Sequence, residues 1–194
     1  MKRLDPWTTL SRTVVFSGGP IEEVAKEVVL LPDGRTVPDF YTVSMGDFAL
    51  IFAVTRDSRV LVLRQYKHGL KRVCLGFPGG RIDPSETPLA AAQRELLEET
   101  GYASQAWESL GSYVTNANQR CNTAYLFRAT GCDRIARPTS GDLEEAELLM
   151  MPPDDLVTAD NVREIGQASH VALLMLATTS KIVGKNCTPS QTGM

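Results

Sequence analysis

The stretch from Thr87 to Gly101 constrains this chain more than any other, because it carries both ends of a helix and, between them, a placement of charge that ordinary helices avoid. Thr87 offers a side-chain oxygen to the free amides of a first turn, Pro88 is pre-set for the first helical position, and Gly101 supplies the left-handed residue on which helices commonly end. A helix over Pro88 to Thr100 puts Glu95, Glu98 and Glu99 at i, i+3 and i+4, on one face. Like charges at that spacing repel, so the trio lowers stability unless something positive lies against it. Carboxylate oxygens gathered on one side are hard ligands and suit Mg²⁺, or Mn²⁺ in its place, held jointly with phosphate oxygens. Ala91 projects toward the same side and is small enough to leave room for ions and ligand, while Leu89 and Leu96 point elsewhere and give the helix an apolar face to bury. Arg94, one turn before Glu98, is placed to pair with that side chain and orient it. Upstream, Gly79-Gly80 lets the backbone approach a ligand closely.

Strand signals dominate the chain before this helix. Val24 to Leu31 ends at the turn Pro32-Asp33-Gly34 and is followed by Val37 to Met45, a hairpin pattern; Phe48 to Val54 and Arg59 to Gln65 form a second pair across Thr55-Arg56-Asp57-Ser58. After the helix, two more strand-like runs, Ser109 to Thr115 and Thr123 to Thr130, precede Leu143 to Met151, and helical pattern returns from Val162 to about Ser180. Strands in runs, with helices set among them, give an α+β class.

With 194 residues and 43% apolar content the chain supports one sizeable core plus a small appended sheet. The net charge of −3 comes from interspersed acids and bases, so no basic stripe points to nucleic acid as a partner. No window reaches the roughly 20 apolar residues of a membrane span; Val171 to Ala177, with Ile165 and Ala168 before it, reads as a core-facing helix. Cys74, Cys121, Cys132 and Cys187 form no metal spacing and no disulfide framework, which favours a reducing cytoplasm. His68 and His170 lie far apart with no second metal-type residue beside either, which points to surface or satisfied-core roles. Asn186 to Met194 lacks periodicity and reads as a frayed tail.

Taken alone, a helix rich in Glu and Ala reads as a solvated amphipathic helix, and it is the spacing around it that overturns this. Gly80, Glu86, Arg94, Glu95, Leu96, Glu98, Glu99, Gly101 and Tyr102 match G-x5-E-x7-R-E-U-x-E-E-x-G-U at every position, U being bulky and apolar or aromatic. With fixed identities each at a background frequency of about 6%, a chance match is on the order of one in a million. The segment resembles the Nudix box of the Nudix hydrolases. That resemblance implies a central mixed β-sheet between helices, an α/β/α sandwich with a small N-terminal antiparallel sheet, and hydrolysis of a nucleoside diphosphate linked to another group. It further implies Glu95 and Glu99 as principal metal ligands, Glu98 as an additional one, the Gly79 carbonyl as another, and Arg94 and Glu86 as supporting catalytic residues. The metal, Mg²⁺ or Mn²⁺, would neutralise and polarise the phosphates and activate water.

Weaker cues are similar to the ADP-ribose and ADP-sugar pyrophosphatase branch: Trp7 to Val15, Leu31-Pro32-Asp33-Gly34, Leu63-Arg64-Gln65-Tyr66-Lys67, Phe77-Pro78-Gly79-Gly80 and Met151 to Leu156. The branch resemblance implies a homodimer built through residues 1–46, ahead of a hydrolase domain at 47–185 and a tail at 186–194. It also implies a water-orienting acid in Gly141-Asp142-Leu143-Glu144-Glu145, Glu144 before Glu145, and substrate contacts from Arg64, Lys67, Gly80, Arg120 and Phe40. Phe40 and Tyr41 stand near an adenine-stacking position, although at strand spacing a core role competes. Three departures stand out. Tyr113 to Cys121 has no Pro-Gly pair, Gly76 replaces a common Glu, and Lys67 replaces a common Arg and so loses the planar fork. These keep other nucleotide substrates open: GDP-mannose, a dinucleoside polyphosphate or a nucleoside triphosphate. A non-catalytic module that senses a nucleotide sugar also stays open, although a pure binder has no need of the strained acid cluster.

Overall fold

In a computed structural model that describes residues 4–139 and 146–179, the run at Phe48–Thr55 alternates between two cores. Ala49, Ile51 and Ala53 face one side, joined there by Leu61, Phe127 and Ala129 and by Ala91, Ala92 and Leu96 from the acidic helix. Leu50 and Phe52 face the other, with Val60, Val62, Ala124 and Leu126 and with Leu173, Leu174 and Ala177 from a C-terminal helix. A strand buried on both faces has no polar side, which is why these segments read as unbroken apolar runs. The result is a mixed sheet between helices.

The strands are β1 (Thr8–Gly18), β2 (Ile21–Leu30), β3 (Thr36–Met45), β4 (Phe48–Thr55), β5 (Val60–Lys67), β6 (Arg72–Gly76), β7 (Gly79–Arg81), β8 (Tyr102–Ala103), β9 (Ala106–Asn116), β10 (Arg120–Arg134) and β11 (Ala146–Met151). The helices are α1 (Pro88–Thr100), α2 (Pro153–Leu156), α3 (Ala159–Glu164) and α4 (Ala168–Thr178). The sheet runs β1-β2-β3-β10-β4-β5-β11, with β10 parallel to β3 and β4 and the remaining pairs antiparallel. Strands β4 and β5 meet at Val54 and Val60 and then separate; β6 stays with β5, while β7 pairs with β4 from Phe48↔Arg81 to Leu50↔Gly79. Residues 77–81 therefore fill a split in the sheet, and α1 packs against β4 and β7 beside it.

The helix at Pro88–Thr100 has the bounds its sequence punctuation predicts. Two of its residues are placed differently from expectation: Ala91 is fully buried in the core cluster that includes Ile51 and leaves no open room, and Leu89 stays 38% exposed. The helical pattern expected from Val162 onward is broken. Ile165 forms a parallel bridge to Leu75, and Gly166 lies so close to Leu70 and Cys74 that a Cβ would press on both, so α3 and α4 are separate. The N-terminal meander β1-β2-β3 is hydrogen-bonded into the main sheet through Arg120↔Val43 and Cys121↔Ser44. Within it β1 is exposed along its whole length, including Leu10, Val14, Val15 and Phe16. No helix among the described residues is long and apolar enough to cross a membrane.

Candidate active site

The geometry starts from the caps of α1. Thr87 Oγ1 accepts the Ala90 amide at 3.2 Å, and Gly101, at φ 75°, donates its amide to the Leu97 carbonyl at 2.8 Å. A helix fixed at both ends holds its acids in register. Arg94 is the centre of the charge cluster: Nη1 donates to Glu95 at 2.7 Å and to Glu98 at 3.1 Å, Nη2 donates to Glu86 at 2.7 Å and to the Arg81 carbonyl at 2.9 Å, and Nε reaches Glu86 at 3.2 Å. The carboxylates hold the guanidinium pKa well above its ordinary range, Glu86 contributing most. In return, Arg94 and then the Asp83 amide hold the Glu86 carboxyl below the usual carboxylate range. The repulsion read from the sequence is thus offset in the folded chain by one planar cation that faces several acceptors at once.

The glycine pair closes the site from the sheet. Gly79 has φ +155°, its amide donates to Glu99 at 2.7 Å, and a Cβ there would collide with the Ala49 carbonyl oxygen. A Cβ on Gly80 would land on the Glu95 carboxylate. The missing side chain serves the two positions differently: Gly79 needs it so that the chain can pass β4, and at Gly80 it lets an acid lie on the backbone. Gly79, Gly80, Glu86, Arg94, Glu95, Glu98 and Glu99 are brought together in one knot.

The donor set in this knot is carboxylate and carbonyl oxygen only, the chemistry that fits Mg²⁺ or Mn²⁺. Among the described residues no group of acidic, histidine or cysteine side chains already converges as a ready-made cage; Arg94 holds the acids. Glu98 is the more solvent-facing of Arg94's helical partners, its side chain 42% exposed against 14% for Glu95.

The expected substrate-binding residues are dispersed. Lys67 ends β5 close enough to His170 for its charge to be felt by that imidazole. Arg120, in the left-handed region at φ 72°, lines a cavity of about 800 Å³ together with Glu22, Arg81, Asp83, Glu86 and Tyr125. Arg64 pairs with Glu147 at 3.3 Å and lines a different cavity, with Leu75, Asn161 and Glu164. Phe40 sits in the meander with its ring edge-on to Trp7 at 6.0 Å. Glu144 and Glu145 lie outside the described residues. The ends of their segment are described: the Thr139 amide donates to the Glu98 carbonyl at 2.8 Å, the Ile135 and Ala136 amides donate to the Gly101 carbonyl at 2.9 and 3.1 Å, and Ala146 pairs with Gln65.

The Arg81 carbonyl and the Asp83 amide, which hold Arg94 and Glu86 through the main chain, were invisible to residue-type reasoning. So was His170 as the acceptor for the Phe77 amide at 2.9 Å, and a lone histidine within an apolar helix was the available signal.

Comparison with known proteins agrees with the site. A methanol dehydrogenase activator of Bacillus methanolicus is 28% identical over 149 residues, 77% of this chain and 78% of that protein. An ADP-ribose pyrophosphatase of Bacillus subtilis (strain 168) is 25% identical over 169 residues, 87% of this chain and 90% of that protein. The crystal structure of an ADP compounds hydrolase has the same fold, with a TM-score of 0.75 at 22% identity over 92% of this chain and 95% of that one. The NUDIX domain model matches residues 47–172, which include every member of the knot around Arg94, and this chain therefore belongs to the Nudix family of hydrolases.

Proposed function

We propose that this chain hydrolyses the pyrophosphate bond of ADP-ribose or a related ADP-sugar, with Mg²⁺ or Mn²⁺, to AMP and a sugar phosphate. The observation that carries this reading is the knot in which Glu99 accepts the Gly79 amide, Glu95 lies against Gly80, and Arg94 holds Glu95 and Glu98 from the same helix. The pyrophosphatase named among the relatives supports the substrate class.

Glu95, Glu99 and the Gly79 carbonyl would hold the cation, with Glu98 beside them. When bound, it neutralises phosphate charge, polarises the phosphoryl oxygens and acidifies water. The chain's own work is positional. Arg94 and Glu86 keep the helix and the preceding loop in fixed relation, and Gly80 leaves room for the Glu95 carboxylate against the backbone. Lys67 and Arg120 supply cationic contacts to the substrate, Arg64 and Phe40 are kept as further contacts, and Glu144 is kept as the acid that orients the attacking water. That water gives up a proton to this carboxylate and adds to one phosphorus while the bridging P–O bond breaks and the departing phosphate takes the electron pair. Residues 1–46 form the homodimer surface, an assignment supported by the exposed apolar side chains of β1. A second reading, another nucleoside diphosphate derivative as substrate, is favoured by Lys67 and by the proline-free turn at Tyr113 to Cys121.

The deciding experiment is a panel of nucleotide sugars, dinucleoside polyphosphates and nucleoside triphosphates incubated with Mg²⁺ or Mn²⁺, the products identified by mass. AMP with a sugar phosphate is expected. Release of GMP, or of inorganic pyrophosphate from a triphosphate, replaces the ADP-sugar reading by the second one, and binding without any cleavage removes the enzymatic reading.

A further inference from the structure

Residues 77–79, which cross the split between β4 and β5, are tied down from three different elements. Ile51 on β4 donates to the Pro78 carbonyl at 2.9 Å, the Gly79 amide donates to Glu99 on α1 at 2.7 Å, and the Phe77 amide donates to Nδ1 of His170 on α4 at 2.9 Å. The bond from Ile51 is main chain to main chain and is open to any sequence. The bond to His170 depends on a single side chain far away in sequence. Phe77 is 2% exposed and His170 5%, so neither partner has water as a substitute, and an amide stranded at that depth is strongly disfavoured.

Several features hold this acceptor in place. With Nδ1 accepting, the proton of the neutral ring is on Nε2. Burial, assisted by the charge of Lys67, pushes the imidazole down to about 4, so the ring stays neutral and able to accept throughout the neutral range. The ring lies nearly parallel to Phe77, at 16° with centroids 6.1 Å apart. Gly76 provides the room, since a Cβ there would sit 3.2 Å from both Cε1 and Nδ1 of the imidazole. Further along, the Ile165 bridge to Leu75 and the tight seat of Gly166 fix where α4 begins.

We infer that Gly76 and His170 act as a positioning pair for the cation-facing backbone. The glycine admits the imidazole, the imidazole holds the Phe77 amide, and the amide sets where Gly79 presents its carbonyl beside Glu95 and Glu99. This rests on the reading of Gly79, Glu95 and Glu99 as cation ligands, and the test separates the two. His170 works through main chain and is a positioning residue.

Mn²⁺ alone is the probe, titrated into the whole chain without substrate and followed by loss of the free-ion EPR signal. Steady-state kinetics with ADP-ribose and Mg²⁺ run alongside. His170→Phe keeps a planar ring and removes the acceptor, whereas His170→Asn places an amide oxygen close to where Nδ1 stood. The phenylalanine variant is expected to bind Mn²⁺ about 10-fold more weakly or worse, with kcat lowered and KM nearly unchanged, and the asparagine variant to recover most of that affinity. Equal Mn²⁺ affinity in wild type and the phenylalanine variant overturns the inference and leaves the cation reading standing. An asparagine variant no better than phenylalanine does the same. A wild-type chain that takes up no Mn²⁺ removes the cation reading and the inference with it. Hydrogen exchange on the wild-type protein needs no variant: the Phe77 amide is expected among the slow exchangers, and rapid exchange overturns the positioning bond.

Discussion

Arg94 grips Glu86 with two prongs, Nη2 to Oε1 at 2.7 Å and Nε to Oε2 at 3.2 Å, and so fastens the loop before α1 to the helix that follows it. Lysine has a single ammonium and no planar fork, and it cannot face Glu86, Glu95, Glu98 and the Arg81 carbonyl together. Arg94→Lys is expected to lower stability by about 1–2 kcal/mol in urea titrations and to weaken Mn²⁺ binding about 10-fold. Unchanged values for both would mean that the cluster is a surface decoration.

Glu99→Gln separates charge from shape. Glutamine retains an oxygen that can accept the Gly79 amide, so the thermal midpoint should stay close to wild type while turnover with Mg²⁺ falls about 100-fold or more. Full activity in the variant would contradict the assignment of Glu99 as a ligand.

The two glycines should fail differently. In Gly79→Ala the new methyl meets the Ala49 carbonyl in a backbone region at φ +155° that suits glycine, and a stability loss of about 3 kcal/mol is expected. In Gly80→Ala the methyl meets a side chain that can swing away, the Glu95 carboxylate, so the chain should remain folded with its cation affinity reduced. Calorimetry paired with Mn²⁺ titration distinguishes the outcomes, and equal behaviour of the two variants would refute this division.

Acid should destabilise the protein over a window set by His170. Burial lowers its pKa from the ordinary 6.5 to about 4, so above about pH 6.5 the ring is neutral in both folded and unfolded chains. Between those values the unfolded chain binds a proton that the folded chain refuses, and stability falls with falling pH by a total on the order of 3 kcal/mol. Glu86, with its pKa lowered, contributes in the same sense at lower pH, as its carboxylate is protonated out of the Arg94 pair. Urea midpoints measured from pH 7 to pH 4 should show a slope that flattens in His170→Asn; an identical slope would place the acid sensitivity elsewhere.

Strand β1 leaves Leu10 at 54%, Val14 at 49%, Val15 at 52% and Phe16 at 52% exposure. A strand with so much apolar surface uncovered on a single chain is expected to be covered by a second copy. Sedimentation velocity should show a two-chain species that Val14→Lys combined with Phe16→Lys reduces to one chain. A wild-type monomer would remove the dimer from the functional reading.

Much of this architecture could be read from residue order because the signals were local. Thr87, Pro88 and Gly101 mark α1 through backbone chemistry that acts within one turn, and the apolar runs of β4 and β5 announce strands buried on both faces. What escaped depends on partners distant in sequence. The glycines of β7 have no side-chain pattern at all, and this strand exists because β4 and β5 part and leave a gap beside Leu50. Strand β1 buries neither face and so shows no alternation of the kind that marks a half-buried strand. The break at Gly166 is invisible in an otherwise helical pattern, since its cause is contact with Leu70 and Cys74 on another hairpin. In the site, spacing placed the Glu95, Glu98 and Glu99 face, but reasoning from side-chain size put Ala91 beside the ions when it is buried in the core cluster on that side of β4.

The bonds from Thr139 to Glu98 and from Ile135 and Ala136 to Gly101 are made by peptide groups alone, as is the pairing of Ala146 with Gln65. A side-chain substitution at Thr139 or Ala146 therefore leaves the bond that seats it in place, so that the end of α1 and the start of β11 tolerate sequence drift at these positions.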